Sequence, residues 1–553
     1  MPAVPCAPGP LRVRSLGRVR YREALALQHA LFHRSGEDYL LLLEHPDVYT
    51  LGVRARAEHV LVEPGSVGAE LVKVDRGGDV TYHGPGQVVG YPIVSITLGP
   101  GVVPAYVHGI EALVIGALGD LGLPKVGRLE GYPGVWVEPD GPVPRKICAI
   151  GVRVSRGRTM HGFALNVDTD LTMFSHIVPC GIPDRPVTSL RAERSAVTTA
   201  DVIDALVERA RTSPVFAGAN GERPVERQDV SAAAGRAGAA SDPSSRPAFR
   251  RLAAAGVDPR RSVEITSRKP SWLRVEASMG DEYLALRKTM RTLDLVTVCE
   301  EAGCPNIFEC WAAGTGTFMI NGERCTRACG FCLVDTGHPL PLDRTEAARV
   351  AAAVAKMGLA HVVVTAVARD DLADGGAGAF ASTIRAIRER TPGTTVEVLI
   401  PDCRGDESAL RVIFAARPDV LGHNVETVLR LQRAVRPSAS YARSLAVLAM
   451  AKAAGLTTKS GFMLGLGETE VEVDGVLTDL AAVGVDIVTI GQYLRPSAAH
   501  LPVARWWTPE EFAAVRKRAM RHGFAHVEAS PLTRSSYHAR EGAEAARRVT
   551  ASA

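Results

Sequence analysis

The sequence predicts two domains, an α+β domain followed by an α/β partial TIM barrel, and three observations carry that prediction. The chain has 553 residues, more than one hydrophobic core ordinarily supports. Apolar periodicity stops between Thr212 and Arg261, where the run GANGERPVERQDVSAAAGRAGAASDPSSRP is small, polar and rich in Pro and Gly. Before that break strands and helices are mixed irregularly, and after it strand, loop and helix repeat in series. The expected boundaries are 11–211 for the first domain, 212–261 for a flexible linker and 262–545 for the second domain.

In the first domain a helix is expected near Arg22 to His33, a strand near Tyr39 to Leu43, short strands near Lys73 and Val88, and a helix near Tyr106 to Leu121. Lys146 to Val154 and Met160 to Val167 read as a hairpin with the basic tip Ser155-Arg156-Gly157-Arg158. Thr199 is placed to cap a last helix with Val202, Ala205 and Leu206 on one face. In the linker, SAAAGRAGAA has helix-forming alanines, but the interspersed Gly and Pro oppose a stable helix. The second domain shows strands near Thr317 to Ile320, His361 to Thr365, Val396 to Ile400, Val420 to His423, Ser460 to Leu464 and Ile487 to Leu494. Amphipathic helices such as Thr345 to Lys356 and Tyr441 to Ala453 lie between them. Six βα units in series predict parallel strands, with active residues on the loops that follow them.

The composition, 46% hydrophobic and 22% charged, is that of an ordinary soluble globular protein. A net charge of +4, from 64 basic and 60 acidic residues, provides no extended field, so neither a nucleic acid nor a membrane partner is expected. Met1 to Pro10 lacks the features of a secretory signal, and no later run reads as long and apolar enough to span a bilayer. A cytoplasmic location is expected, where thiols stay reduced and clustered cysteines mean metal or catalysis. Six of the ten cysteines fall between Cys299 and Cys332.

Cys325, Cys329 and Cys332 form C-x-x-x-C-x-x-C after the first barrel strand. Three thiolates hold three irons of a 4Fe-4S cluster and leave the fourth open to a ligand. A structural zinc site would need a fourth ligand at knuckle spacing, and none is there. This motif on a parallel barrel resembles the radical S-adenosylmethionine (SAM) superfamily. The resemblance implies SAM as cofactor, its cleavage to a 5′-deoxyadenosyl radical, and Phe331 beside the adenine. Gly465-Leu466-Gly467-Glu468 resembles the loop that contacts the methionine end of SAM, although G-x-G alone is more often a turn.

Cys299, Cys304 and Cys310 form a second set, C-x4-C-x5-C, which argues for a second cluster. Together with Arg534-Ser535-Ser536-Tyr537, Thr365 to Asp371 and Gly491 to Arg495, it resembles lipoyl synthases from about Arg268 through Glu541. The resemblance implies two 4Fe-4S clusters, the second ligated by Ser536, with Ser535 as the alternative, and consumed as the sulfur source. A hard alkoxide on a soft cluster is a displaceable ligand, which suits that role. An unactivated C–H bond of an octanoyl chain has no acidity for a side-chain base to use, so radical chemistry fits the need.

In the first domain RGGDVTYHGPGQ, residues 76–87, carries a glycine pair, a His and a Gly-Pro-Gly turn that permit close backbone approach to a ligand. Its spacing matches neither nucleotide-loop pattern. With Lys146 in RKICAIGVR, Cys180 in IVPCGI and the strand HGFALN, it resembles octanoyl transferases of the lipoate and biotin protein ligase fold over about Val13 to Ala210. Carried over by position, Cys180 is the acyl-accepting nucleophile and Lys146 the residue that lowers its pKa and relays protons. Arg76, Gly77, Gly78, Asp79, Val80, Thr81, Tyr82 and His83 would line the acyl pocket with Ala149, Ile150, Gly151, Gly162, Phe163 and Ala164. Cys148 reads as a buried strand residue.

The two resemblances together imply an α+β domain like the lipoate/biotin protein ligases and a partial TIM barrel of the radical SAM type. The implied activity is octanoyl transfer from acyl carrier protein to a lysine of a lipoyl domain, then insertion of two sulfurs at C6 and C8. The implied partners are octanoyl-acyl carrier protein, apo lipoyl domains of 2-oxoacid dehydrogenases and the glycine-cleavage H protein, and an electron donor such as flavodoxin or ferredoxin. Arg156 and Arg158 are candidate docking residues for the acidic carrier protein. Alternatives are an ATP-dependent lipoate ligase or a non-catalytic docking module in the first half, and a biotin-synthase-like enzyme in the second.

Overall fold

A computed structural model describes residues 9–123, 125–216, 221–230, 246–274, 306–312 and 314–552. The chain divides into two compact units, Met1–Asp229 and Val230–Ala553.

The first unit contains strands β1 (Leu11–Arg18), β2 (Tyr39–Glu44), β3 (Val48–Leu51), β4 (Glu70–Lys73), β5 (Val80–His83) and β6 (Gln87–Ile93). They are followed by β7 (Val126–Leu129), β8 (Tyr132–Val137), β9 (Arg145–Ser155), β10 (Arg158–Asn166) and β11 (Val225–Asp229). A mixed sheet runs β11-β1-β2-β6-β10-β9-β8-β7, and a small one runs β4-β3-β5. Helices Val102–Asp120 and Thr199–Ala210 bring Tyr106, Ile110, Leu113 and Leu206 against Leu40, Leu42, Ile147 and Leu165 of the large sheet. Val102–Asp120 is long and apolar enough to cross a membrane by composition, contrary to expectation, yet its face with Tyr106, Ile110, Leu113, Val114, Ala117 and Leu118 belongs to this core.

Two local expectations, the helix cap and the exposure of Arg158, are corrected, and the hairpin is as expected. The last helix is capped by Thr198, one residue earlier than expected, through a reciprocal capping box with Asp201. The hairpin turn is Arg156 and Gly157, both at positive φ (50° and 74°), as the twist of a two-residue connection requires. Arg158 turns inward to Asp38 (3.2 Å) and to the carbonyls of Leu31 and Glu37, which leaves Arg156 as the exposed charge of the tip.

The expected linker is also too wide. Within it, β11 pairs in parallel with β1, and Val215 and Phe216 are fully buried in the first core. Arg223 is buried against Asp38 at 2.9 Å. On the other side, helix Pro247–Ala254 belongs to the second unit, where Arg246 donates to Ala498 O and Arg430 to Ala255 O. Strand pairing, polar contacts and a few isolated buried apolar side chains, rather than a long apolar stripe, hold these pieces, so periodicity does not reveal them.

The second unit contains β12 (Thr315–Ile320), β13 (His361–Ala366), β14 (Thr395–Leu399), β15 (Val420–Gly422), β16 (Thr458–Leu464), β17 (Ile487–Gln492) and β18 (His526–Ala529). They pair in that order, each parallel to the next, as an open barrel with helices between strands. β18 is a seventh strand that the sequence does not announce, because HVEA is only four residues long and Val527 is its one large apolar side chain. Strands β12 to β17 are buried on both faces and read as apolar runs. Near the starts of the strands Lys459 Nζ donates to Glu397 Oε1 at 2.8 Å, a buried pair at the end of the barrel that serves stability.

Candidate functional sites

The first unit has a cleft of about 520 Å³, within the range of small-ligand sites. Cys180, Lys146, Arg76, Gly77, Gly78, Asp79, Thr81, His83, Ala149, Ile150, Gly151, Gly162, Phe163 and Ala164 all line it. Val80 and Tyr82 do not. Side chains alternate along β5, so Thr81 and His83 face the cleft while Val80 and Tyr82 pack with Tyr49 and Phe174 on the opposite side.

Cys180 sits in the short turn Pro179–Gly181 with φ of 56°. Gly181 follows at φ 69°, and a Cβ there would lie 2.9 Å from Asp79 Oδ2. The chain after Cys180 is stapled to the start of β9, with Lys146 N donating to Pro186 O and Thr188 N to Lys146 O, both at 2.9 Å. This brings the nucleophile candidate to Lys146, whose side chain is buried and whose Nζ stands 4.8 Å from the Trp136 ring centroid. Cys148 lies inward of this site, fully enclosed in the core, where burial pushes its thiol well up, as expected of a strand residue.

Arg76 is buried and has no carboxylate partner within salt-bridge distance among the described residues; it donates to Thr50 O (2.7 Å), Thr50 Oγ1 (2.8 Å) and Gly77 O. Burial holds its pKa below the ordinary guanidinium range, while nearby Tyr21 and Cys180 act the other way. His83 Nδ1 donates to Gln87 Oε1 at 2.8 Å, Gln87 Nε2 to Asn166 Oδ1 at 2.9 Å, and Asn166 Nδ2 to Thr188 O at 2.9 Å. This chain ties the glycine-rich loop to the HGFALN strand and to the segment after Cys180. Burial, with His45 and Arg76 beside it, holds His83 well below the ordinary imidazole range. Gly162 allows β10 to pass β6, because a Cβ there would meet Gly90 O at 2.2 Å. Sequence reasoning missed Tyr21, His59, Tyr91 and Tyr132, which line the same cleft from separate elements and carry no spacing signal.

In the second unit Cys325, Cys329 and Cys332 lie on the loop after β12, as expected. Ala368 N and Arg327 N each donate to Cys325 Sγ at 3.4 Å. Thr326 Oγ1 donates to Ala368 O at 2.9 Å, and Arg327 forks to Asp370 (2.7 and 2.8 Å) and to Asp402 (2.6 Å). Gly330 N donates to Val435 O, and His500 Nε2 donates to Cys332 O, each at 2.9 Å. The loop is thus anchored to residues after β13, β14, β15 and β17, at the C-terminal end where barrel enzymes carry their chemistry. Burial pushes Cys329 up to about 11, opposed by Arg436 and reinforced by Cys332, Glu426 and Cys325.

No group of three candidate ligands among the described residues converges on the position of a single metal ion. A 4Fe-4S cluster asks for something else, since each thiolate binds a different corner of the cube. Three partly buried thiols on one anchored loop, near enough to oppose one another's ionisation, fit that demand. The SAM-loop candidate follows β16, but Gly465 N and Leu466 N donate inward to the buried Glu468 carboxylate at 2.5 and 2.9 Å. Phe331 is half-buried beside Cys332.

Of the second cysteine set only Cys310 is described; Cys299 and Cys304 lie outside the described residues. Its helix is joined to the Arg534–Tyr537 segment by two contacts. Tyr537 Oη donates to the Glu309 carboxylate at 3.1 Å, and Asn306 Nδ2 donates to Leu532 O at 2.8 Å. Ser535 and Ser536 are both half-buried there.

Known families match both units. Residues 20–211 match the lipoyl protein ligase A/B catalytic domain, and residues 319–480 match the radical SAM superfamily. The chain therefore joins a lipoyl-ligase-type catalytic domain to a radical SAM enzyme. Residues 250–304 match the N-terminal domain of lipoyl synthase of the radical SAM family, which carries the second unit back into the expected linker. The lipoyl synthase of Rubrobacter xylanophilus is 57% identical over 282 residues, covering 51% of this chain and 88% of that protein. Those of Mycobacterium avium and Symbiobacterium thermophilum are each 56% identical, covering 49% and 51% of this chain and 89% of each relative. Through its second unit the chain belongs to the lipoyl synthase family. Among solved structures, a bi-partite lipoate protein ligase from Thermoplasma acidophilum aligns at 19% identity and TM-score 0.34, over 40% of this chain and 88% of that one. A methylornithine synthase aligns at 14% identity and TM-score 0.28, over 46% and 82%. Neither value bears weight.

Proposed function

We propose that the chain makes lipoyl groups in two stages. The first unit moves an octanoyl group from acyl carrier protein to a lipoyl-domain lysine, and the second inserts sulfur at C6 and C8. The observation that carries the first stage is the convergence of Cys180 and Lys146 on one cleft floored by the glycine-rich loop. Lys146 takes the thiol proton, the Cys180 thiolate attacks the thioester, and Lys146 returns the proton to the departing pantetheine sulfur. Arg76, buried in the cleft wall, and the Gly77–Gly78 backbone hold the acyl carbonyl end, while Phe163 and Ile150 bound the chain.

For the second stage Cys325, Cys329 and Cys332 would hold one 4Fe-4S cluster, and Cys299, Cys304, Cys310 and Ser536 a second that supplies sulfur. When bound, the first cluster and SAM supply a radical able to take hydrogen from an unactivated carbon. This chain's residues fix the loop: Arg327 clamps it to Asp370 and Asp402. A cytoplasmic setting and a flavodoxin- or ferredoxin-like donor suit this chemistry.

The test is anaerobic incubation of reconstituted protein with octanoyl carrier protein, apo lipoyl domain, SAM and reductant, read by intact mass. The expected sequence is octanoylation of the domain, then a gain of two sulfurs, with a transient acyl adduct on Cys180 and no need for ATP. Activity that requires ATP and survives Cys180→Ala would establish a ligase instead.

A further inference from the structure

At the mouth of the first cleft lies a hydrogen-bonded pair that Cys180 and Lys146 do not account for. His59 Nδ1 donates to Asp79 Oδ2 at 2.6 Å, with side chains 18% and 11% exposed. Asp79 is itself fixed, its Oδ1 accepting from Val80 N at 2.7 Å. The backbone beside the nucleophile lies against this pair. A Cβ on Gly181 would be 2.9 Å from Asp79 Oδ2 and 3.3 Å from His59 Cε1. Val178 N also donates to His59 O at 2.8 Å, so the turn carrying Cys180 and the one carrying His59 are joined. With Nδ1 donating to a carboxylate, Nε2 carries the lone pair, which is the tautomer of a base.

Proton arithmetic gives that base a task. A lysine ammonium that becomes an amide nitrogen loses two protons. One replaces the proton that Lys146 handed to the departing pantetheine sulfur, and the other has no acceptor in the Cys180–Lys146 pair. At pH 7 only ~0.04% of a lysine of ordinary pKa is neutral, so the reactive amine must be generated at the site.

We propose that His59 is a second catalytic base of this unit, positioned by Asp79, which deprotonates the incoming lysine. This rests on the octanoyl-transfer reading. The C–N bond forms as the C–S bond of acyl-Cys180 breaks, and the Cys180 thiolate leaves. Lys146 takes one N–H proton and His59 the other, which its partly exposed ring passes to water.

The experiment uses the full chain and follows the two half-reactions separately. His59→Gln should still form acyl-Cys180 from octanoyl carrier protein, but transfer to the lipoyl-domain lysine should slow roughly 100-fold, so that the adduct accumulates. Asp79→Asn keeps an oxygen for Val80 N and should slow the same step less. In His59→Ala, added imidazole should restore transfer, which a merely structural role would not allow. Transfer at the wild-type rate in His59→Gln overturns the proposal, as does loss of Cys180 acylation in a variant that melts like wild type. If the wild-type chain never shows acyl-Cys180, the octanoyl-transfer reading falls and this proposal with it.

Discussion

His45 is fully enclosed, with Nδ1 donating to Val19 O and Nε2 accepting from Tyr91, each at 2.7 Å. Burial holds its pKa at about 4, and His83, 5.7 Å away between ring centroids, is also held low by burial. In the unfolded chain both titrate near 6.5. The folded unit refuses protons that the unfolded chain accepts, so stability is full above pH 6.5 and is lost as pH falls toward 4. His45 removes roughly 1.4 kcal/mol per pH unit in that window, so it alone removes roughly 2 kcal/mol between pH 8 and pH 5, and His83 acts in the same direction. Urea midpoints of the first unit should show this fall, and His45→Gln should flatten it. An unchanged slope in that variant would exclude His45 as a source.

β11 covers the edge of β1 from Leu11 to Ser15, and its Glu226 accepts from Arg12 and Arg14. The segment before it buries Val215 and Phe216, worth about 2–3 kcal/mol each, and places Arg223 on the buried Asp38. A first-unit fragment that stops at Arg211 should therefore be less stable than one ending at Val230 by roughly 5 kcal/mol or more. It should also aggregate through its bared edge strand. Thermal melting with light scattering checks this, and equal melting curves would show that β11 is ornamental. The same element hides the end of the first unit in the sequence: VERQD has no apolar alternation, and its strand state comes from pairing with β1.

Each unit has its own core and its own candidate site. The last described element of the first unit ends at Asp229 and the first of the second begins at Pro247, both inside the expected linker 212–261. Cutting the chain near Ala233 should leave both activities, with the octanoylated lipoyl domain persisting longer before sulfur appears. Cys329→Ala should likewise abolish deoxyadenosine formation and sulfur insertion while sparing octanoyl transfer. A time course of octanoylated and lipoylated domain measures both, and loss of either activity on cutting would mean that the halves depend on each other.

The sequence by itself determined what depends on local spacing and strong periodicity. It placed the barrel strands β12 to β17, the cysteine loop after the first of them and the β9–β10 hairpin, while the cleft residues between Arg76 and Ala164 came from the family resemblance. It could not determine what depends on which surfaces meet. Only the tertiary structure turned Val80 and Tyr82 away from the cleft, made VERQD a strand, drew Arg158 inward to Asp38 and set the His59–Asp79 pair against the turn of Cys180. Those outcomes follow from pairing and burial between segments far apart in the chain, whose energies no single segment encodes.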